Sequence, residues 1–124
     1  NDEFIFAICL VADGTHIGNI KLGPVNPHHK NGDISLFIGD KNFWGKGVAK
    51  EAIYLISEWA FSGLGLNKVI ASCYSANEGS ARAFESVGYS REGLRKGYLL
   101  LKGKRMDMIL LGLGSWEFDP TRKP

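Results

Sequence analysis

The sequence predicts a single α/β domain built on a mixed sheet. Three observations carry that reading. Three strand-like segments come first, apolar spacing then turns helical twice with a strand between the helices, and the chain closes on a two-strand hairpin. The order β-β-β-α-β-α-β-β implies helices laid on one mixed sheet. No linker composition or internal repeat divides the chain, so residues 1–114 read as one domain and 115–124 as a C-terminal tail.

Phe4 to Ala12 is a continuous apolar run rich in Phe, Ile and Val and reads as a buried strand. Asp13-Gly14 is a hairpin turn signal. Thr15 to Leu22 follows with Ile17, Ile20 and Leu22 directed inward, and Gly23 to Gly32 reads as a loop of Pro, Asn and His. Asp33 to Gly39 is a third strand. From Val48 the apolar positions Val48, Ala52, Ile53, Leu55, Ile56, Trp59 and Ala60 recur at helical spacing, ended by Gly63 and Gly65. Lys68 to Tyr74 is a strand, and Asn77 to Val87 a helix stopped by Gly88. Tyr89–Leu101 and Arg105–Leu113 form the closing hairpin through Lys102-Gly103-Lys104. The tail from Ser115, with two prolines and mixed charge, reads as loose.

With 15 basic and 13 acidic residues, net charge is only +2, which argues against duplex DNA or an anionic membrane as partner. No apolar run approaches the roughly 20 residues that span a bilayer. Cys9 and Cys73 sit in strand-like stretches and read as buried free thiols, which fits a cytoplasmic origin. No metal site is expected: Cys-x-x-Cys is absent, and His28-His29 lies in the Pro/Asn loop.

The chemistry concentrates in Asn42-Phe43-Trp44-Gly45-Lys46-Gly47-Val48-Ala49, between a strand and a helix start. Glycines let backbone approach a ligand, and a helix start offers unpaired N–H groups with a positive dipole end, a setting for a diphosphate. The spacing is neither that of a P-loop nor of the dinucleotide fingerprint. A tight turn and helix cap is the plainer reading of this segment alone.

The segments around it resemble GNAT-family N-acetyltransferases, in the branch that includes enzymes acting on ribosomal-protein N-termini and on amino sugars. Asn42-Phe43-Trp44-Gly45-Lys46-Gly47 is similar to the family's Arg/Gln-x-x-Gly-x-Gly/Ala acetyl-CoA motif, and Lys50-Glu51-Ala52 continues it. Asn77-Glu78-Gly79-Ser80 resembles its Asn-x-x-Ser helix start. Gly88-Tyr89 with Arg91-Glu92-Gly93, and Gly103 to Asp107, resemble its later Gly-aromatic and Gly-x-x-x-Asp motifs. The likeness runs in order from about Ile17 to Leu113. It departs in three ways: Asn42 stands in place of Arg or Gln, Phe84 in place of a frequent tyrosine general acid, and the usual leading strand and two helices do not precede Phe4.

The resemblance implies an acetyl-CoA N-acyltransferase fold, with acetyl-CoA as co-substrate and a primary amine as acceptor. Direct attack needs a neutral amine, hence a base. Asp33 takes that place by resemblance, its plain alternative being a strand-start residue bonded to loop amides. Ser80 is the candidate donor to the leaving thiolate, with Tyr98 as runner-up acid; Ser80 is equally a capping residue. Asn77 touches the pantetheine arm or simply caps its helix. Phe37, Ile38 and Gly39 would offer strand backbone to the pantetheine, with Asn42, Gly45, Lys46, Gly47, Val48 and Ala49 at the diphosphate and Phe84 beside the coenzyme. Glu51, one turn into its helix, reads first as structural, with a place in the acceptor pocket as its functional reading; Asp107 is the alternative carboxylate, or an ordinary charge near the turn; and Trp44, Trp59 and Phe61 read as packing. A small amine or amino sugar leads as acceptor, with a protein N-terminus second. The alternative function is a non-catalytic CoA-binding or interaction module, and an exposed first strand would favour a homo-oligomer.

Overall fold

The computed structural model describes residues 2–39 and 47–124. The segment Asn42, Gly45 and Lys46, proposed above for the diphosphate, lies outside the described residues, as does Trp44. The strands are β1 (Asp2–Cys9), β2 (His16–Val25), β3 (Asn31–Ile38), β4 (Lys68–Tyr74), β5 (Ser90–Leu101) and β6 (Lys104–Gly114). The helices are α1 (Val48–Glu58), which widens into a π-type turn over Trp59–Gly63, and α2 (Glu78–Val87). The strands form one sheet in the order β1-β2-β3-β4-β6-β5. Neighbours are antiparallel except β3 and β4.

Strand alternation builds the core. Ile20 and Leu22 of β2, Ile34 of β3, Val69 and Ala71 of β4, and Ile109, Leu111 and Leu113 of β6 are all buried. Against them pack Ile53, Tyr54, Ile56 and Ala60 from the α1 segment and Ala81, Phe84 and Val87 from α2. Each helix contributes the stripe that its 3.6-residue period dictates. The alternate strand positions carry Lys21, Asp33 and Ile70 to the other face.

Four expectations are corrected. The first strand is not buried: it is an outer strand with Ile5 68% exposed, and it ends at Cys9, leaving Val11 fully exposed in the turn. Only one of its faces is used, with Phe4 and Phe6 meeting Trp59 edge-on at 5.0 and 5.4 Å. Cys9, at the end of β1, is exposed, and Cys73 on β4 is half-buried; both are free. The tail is not loose. Phe118 stacks on Tyr54 at 5.4 Å and meets Phe61, and the Tyr54 hydroxyl donates to the Pro120 carbonyl. Finally, β2 runs on through Pro24 to Val25, which is buried and pairs with Asp2, so the loop begins later than its composition suggests.

Candidate active site

The parallel pair β3/β4 supplies an opening. Its register runs from Asn31↔Lys68 to Ile34↔Ala71 and stops there, although β3 continues to Ile38 and β4 to Tyr74. Two strands that part at their carboxyl ends leave a cleft, the usual ligand position in an α/β sheet. On one side β3 is held by β2. There Gly18 lies so close to β3 that a Cβ would collide with the Phe37 carbonyl oxygen, so only glycine fits. The Gly39 N–H donates to the Ile17 carbonyl at 3.0 Å. Peptide groups alternate in direction along a strand, so Phe37 and Gly39 aim at β2, whereas Leu36 and Ile38 aim at the cleft. Of the three strand positions expected from sequence, Ile38 keeps that direction and the other two do not. Leu36 shares the direction of Ile38, as strand alternation dictates.

Both helix starts stand beside the cleft. Gly47 caps α1 in a left-handed conformation (φ 79°) with no side-chain hydrogen bond, and a Cβ there would meet open space. Val48 and Ala49 follow half-buried. Among the described residues no side chain caps the first N–H groups of α1, an arrangement suited to an anion. At α2, the Asn77 Oδ1 accepts the Ser80 N–H at 3.1 Å, so Asn77 is a true N-cap. The Ser80 hydroxyl has no hydrogen-bond partner among the described residues and is half-buried. Asn77 itself is turned by its N–H donating to the Tyr74 carbonyl at 2.8 Å.

Asp33 and Ser80 are not brought side by side. Asp33 projects from the face opposite Ile34, while Ser80 begins a helix on Ile34's side; the cleft is the opening that connects the two faces. Burial raises the Asp33 carboxyl above its ordinary range, partly offset by the Lys21 ammonium, the direction that suits a proton acceptor near neutrality. Phe84 is a core residue, 1% exposed, with its ring edge-on to Tyr89 at 5.1 Å. Burial pushes the Tyr89 phenol up, and its oxygen shares a 2.7 Å hydrogen bond with the Ser57 hydroxyl. Phe84 is therefore a packing residue here, as an aromatic at helical spacing usually is. Glu51 is exposed on the wall of an apolar groove of about 570 Å³ between β1–β2 and α1. Tyr98, 59% exposed on β5, lies under the Arg95 guanidinium at 5.2 Å.

At the same end of the sheet, β5 bulges. Arg95 pairs with Met108 and Leu99 with Met106, so Lys96, Gly97 and Tyr98 face the single residue Asp107. Gly97 adopts φ 59°. An interior strand glycine was the available signal for this bulge.

A model of the acetyltransferase (GNAT) domain matches residues 1–90. The chain belongs to the GNAT acetyltransferase family. Among individual GNAT relatives, it is 32% identical to the SPbeta prophage-derived uncharacterized N-acetyltransferase YokL of Bacillus subtilis, over 95% of this chain and 66% of that one. It is 27% identical to the uncharacterized N-acetyltransferase p20 of Bacillus licheniformis, over 91% of this chain and 63% of the relative. The chain thus spans just under two thirds of these relatives' length. The fold matches spermidine N-acetyltransferase from Vibrio cholerae, solved with CoA and spermine, at a TM-score of 0.85 and 21% identity, covering 94% of this chain and 68% of that one. Among the described residues no helix is long and apolar enough to cross a membrane.

Proposed function

We propose that this chain carries the coenzyme-binding and acetyl-transferring part of an N-acetyltransferase that moves acetyl from acetyl-CoA to a small primary amine. The observation that carries the reading is the end of the β3–β4 register at Ile34↔Ala71, with α1 starting on the left-handed Gly47. An extended pantetheine arm matches strand backbone beyond the end of the β3–β4 register, and a diphosphate matches the N–H groups of a helix start. The Vibrio relative solved with CoA and an amine supports the pairing of these two ligands on this fold.

In this reading Leu36 and Ile38 lie along the pantetheine, Gly47, Val48 and Ala49 with Asn42, Gly45 and Lys46 hold the diphosphate, and Asn77 borders the arm. Acetyl-CoA supplies the activated thioester. The amine nitrogen attacks its carbonyl carbon, the C–S bond breaks and an amide forms. Asp33, with its raised pKa, accepts the proton lost by the amine, directly or through water, and the Ser80 hydroxyl donates to the departing sulfur. The absence of a hydroxyl at Phe84 makes Ser80 the available donor on α2.

Calorimetric titration of acetyl-CoA into the chain and into Gly47→Glu tests this. The glutamate sets a negative charge at the helix start, so binding is expected to weaken at least about tenfold, or about 1.4 kcal/mol. Equal affinity of the two proteins would remove α1 from the site. Binding without acetylation of any amine would select instead the non-catalytic module.

A further inference from the structure

The β5–β6 hairpin carries Arg95, Lys96, Lys102, Lys104 and Arg105, with no acidic residue between Glu92 and Asp107. Without these five cations the net charge of +2 would be negative. All five are exposed, and among the described residues none forms an ion pair. Other cations are spent locally: Arg91 on Glu78 and Glu85, Lys68 on Glu92, Lys21 on Glu3. Asp107, the carboxylate that ends this stretch, has its Oδ1 occupied by the Gly97 N–H at 2.8 Å.

The hairpin stands at the open end of the cleft. Tyr74, at the carboxyl end of β4, pairs with Met108, which pairs with Arg95, so residues 96–107 project beyond the last residue of β4. The Asp107 carbonyl also accepts the Ser75 N–H at 2.9 Å, tying the hairpin to the turn that leads into Asn77 and Ser80. Cationic charge is thereby held by backbone bonds on the flank of the reacting centre. Arg95 is further steadied over the Tyr98 ring.

We propose that the acceptor amine carries a phosphate group, and that the Arg95–Arg105 hairpin is the subsite that reads it. This rests on the acetyl-transfer reading and narrows it. Guanidinium and ammonium groups without carboxylate partners attract phosphate at close range and steer it from about a Debye length away, about 8 to 10 Å. The same field disfavours a polyamine, whose charges are all positive.

The test compares glucosamine 6-phosphate with glucosamine and spermidine as acceptors at fixed acetyl-CoA. The expected result is a kcat/KM at least about tenfold higher for the phosphorylated sugar than for glucosamine, a gap that shrinks with added salt. In Lys96→Glu/Arg105→Glu the ratio is expected to fall to near one, while the acetyl-CoA Kd stays within about twofold. Equal kcat/KM for the two sugars, preference for spermidine, or a ratio unmoved by charge reversal overturns the proposal while leaving acetyl transfer intact. If acetyl-CoA binds but no amine is acetylated, titration of glucosamine 6-phosphate into the CoA-saturated chain decides: binding that the double variant loses sustains the subsite, and absence of binding removes it. A chain that binds no acetyl-CoA sinks the enzymatic reading itself, and this one with it.

Discussion

Asp107 accepts the Gly97 N–H at 2.8 Å across the β5–β6 ladder, filling with a side-chain oxygen the place where the bulge interrupts backbone pairing. Its own carbonyl takes the Ser75 N–H. One residue therefore joins the bulge, β6 and the turn before α2. Asp107→Ala is expected to destabilise the fold by about 1–3 kcal/mol, since the Gly97 amide loses a charged partner. Asp107→Asn keeps an acceptor oxygen and should cost less than half as much. Urea unfolding measures both, and amide exchange at Gly97 localises the effect. Equal losses in the two variants would show that charge, not the hydrogen bond, sets the contribution.

Ser57 of α1 and Tyr89, just past the end of α2, form a buried hydroxyl pair, at 0% and 3% exposure. Each satisfies the other where water does not reach. Ser57→Ala should cost about 1–3 kcal/mol by stranding the phenol, and Tyr89→Phe a similar amount by stranding the serine. The double variant should cost less than the sum, because no orphan remains. Thermal melts of all four proteins form the cycle; strict additivity would mean that the two hydroxyls do not depend on each other.

Several elements were legible because a local signal was sufficient. β4 spans Lys68–Tyr74, as its apolar run reads, and α2 begins at the Asn77 cap and stops at the left-handed Gly88. The hairpins fall at Asp13-Gly14 and Lys102-Gly103. What was not legible depends on neighbours distant in sequence. Phe4 to Ala12 is as apolar as a fully buried strand, but the helices cover only one face of the sheet, and Ile5 lies on the other. Phe118 lies in a charged, proline-bearing tail, and its packing on Tyr54 follows from where β6 ends. Resemblance pointed to the carboxyl end of β3, and the direction of its peptide groups follows from the Ile17–Gly39 hydrogen bond, which pairs residues far apart in sequence.

Asn77 serves two purposes that substitution can separate. Its Oδ1 caps α2, and it borders the proposed coenzyme path. Asn77→Ala should lose about 1 kcal/mol of stability through the missing cap. Asn77→Asp restores a cap of equal quality but brings a negative charge toward an anionic ligand. It should therefore melt like the parent while binding coenzyme A at least about tenfold more weakly. If the aspartate variant binds coenzyme A as the parent does, Asn77 is a cap alone.

Asp33 should oppose stability and activity to each other. Burial holds its folded carboxyl above its ordinary value of 3.8, so the folded chain retains a proton that the unfolded chain has released. More protons bound in the folded state means stability falls as pH rises through the window between 3.8 and the raised value. Above that window the ionised, half-buried carboxylate is a standing cost; below 3.8 both states are protonated and the cost is absent. Asp33→Asn should therefore raise the Tm near pH 7 by about 2 °C, with the advantage shrinking as pH drops through the window. If the carboxylate takes the proton of the amine, the same variant should lower kcat/KM by about 10²–10⁴-fold, a loss typical for a general base. The acidic limb of the parent's pH–rate profile should then lie above the ordinary aspartate range and vanish in the variant. A variant that gains Tm and keeps its kcat/KM would make Asp33 a buried charge without a catalytic part, and would pass the base role to Asp107 or to water.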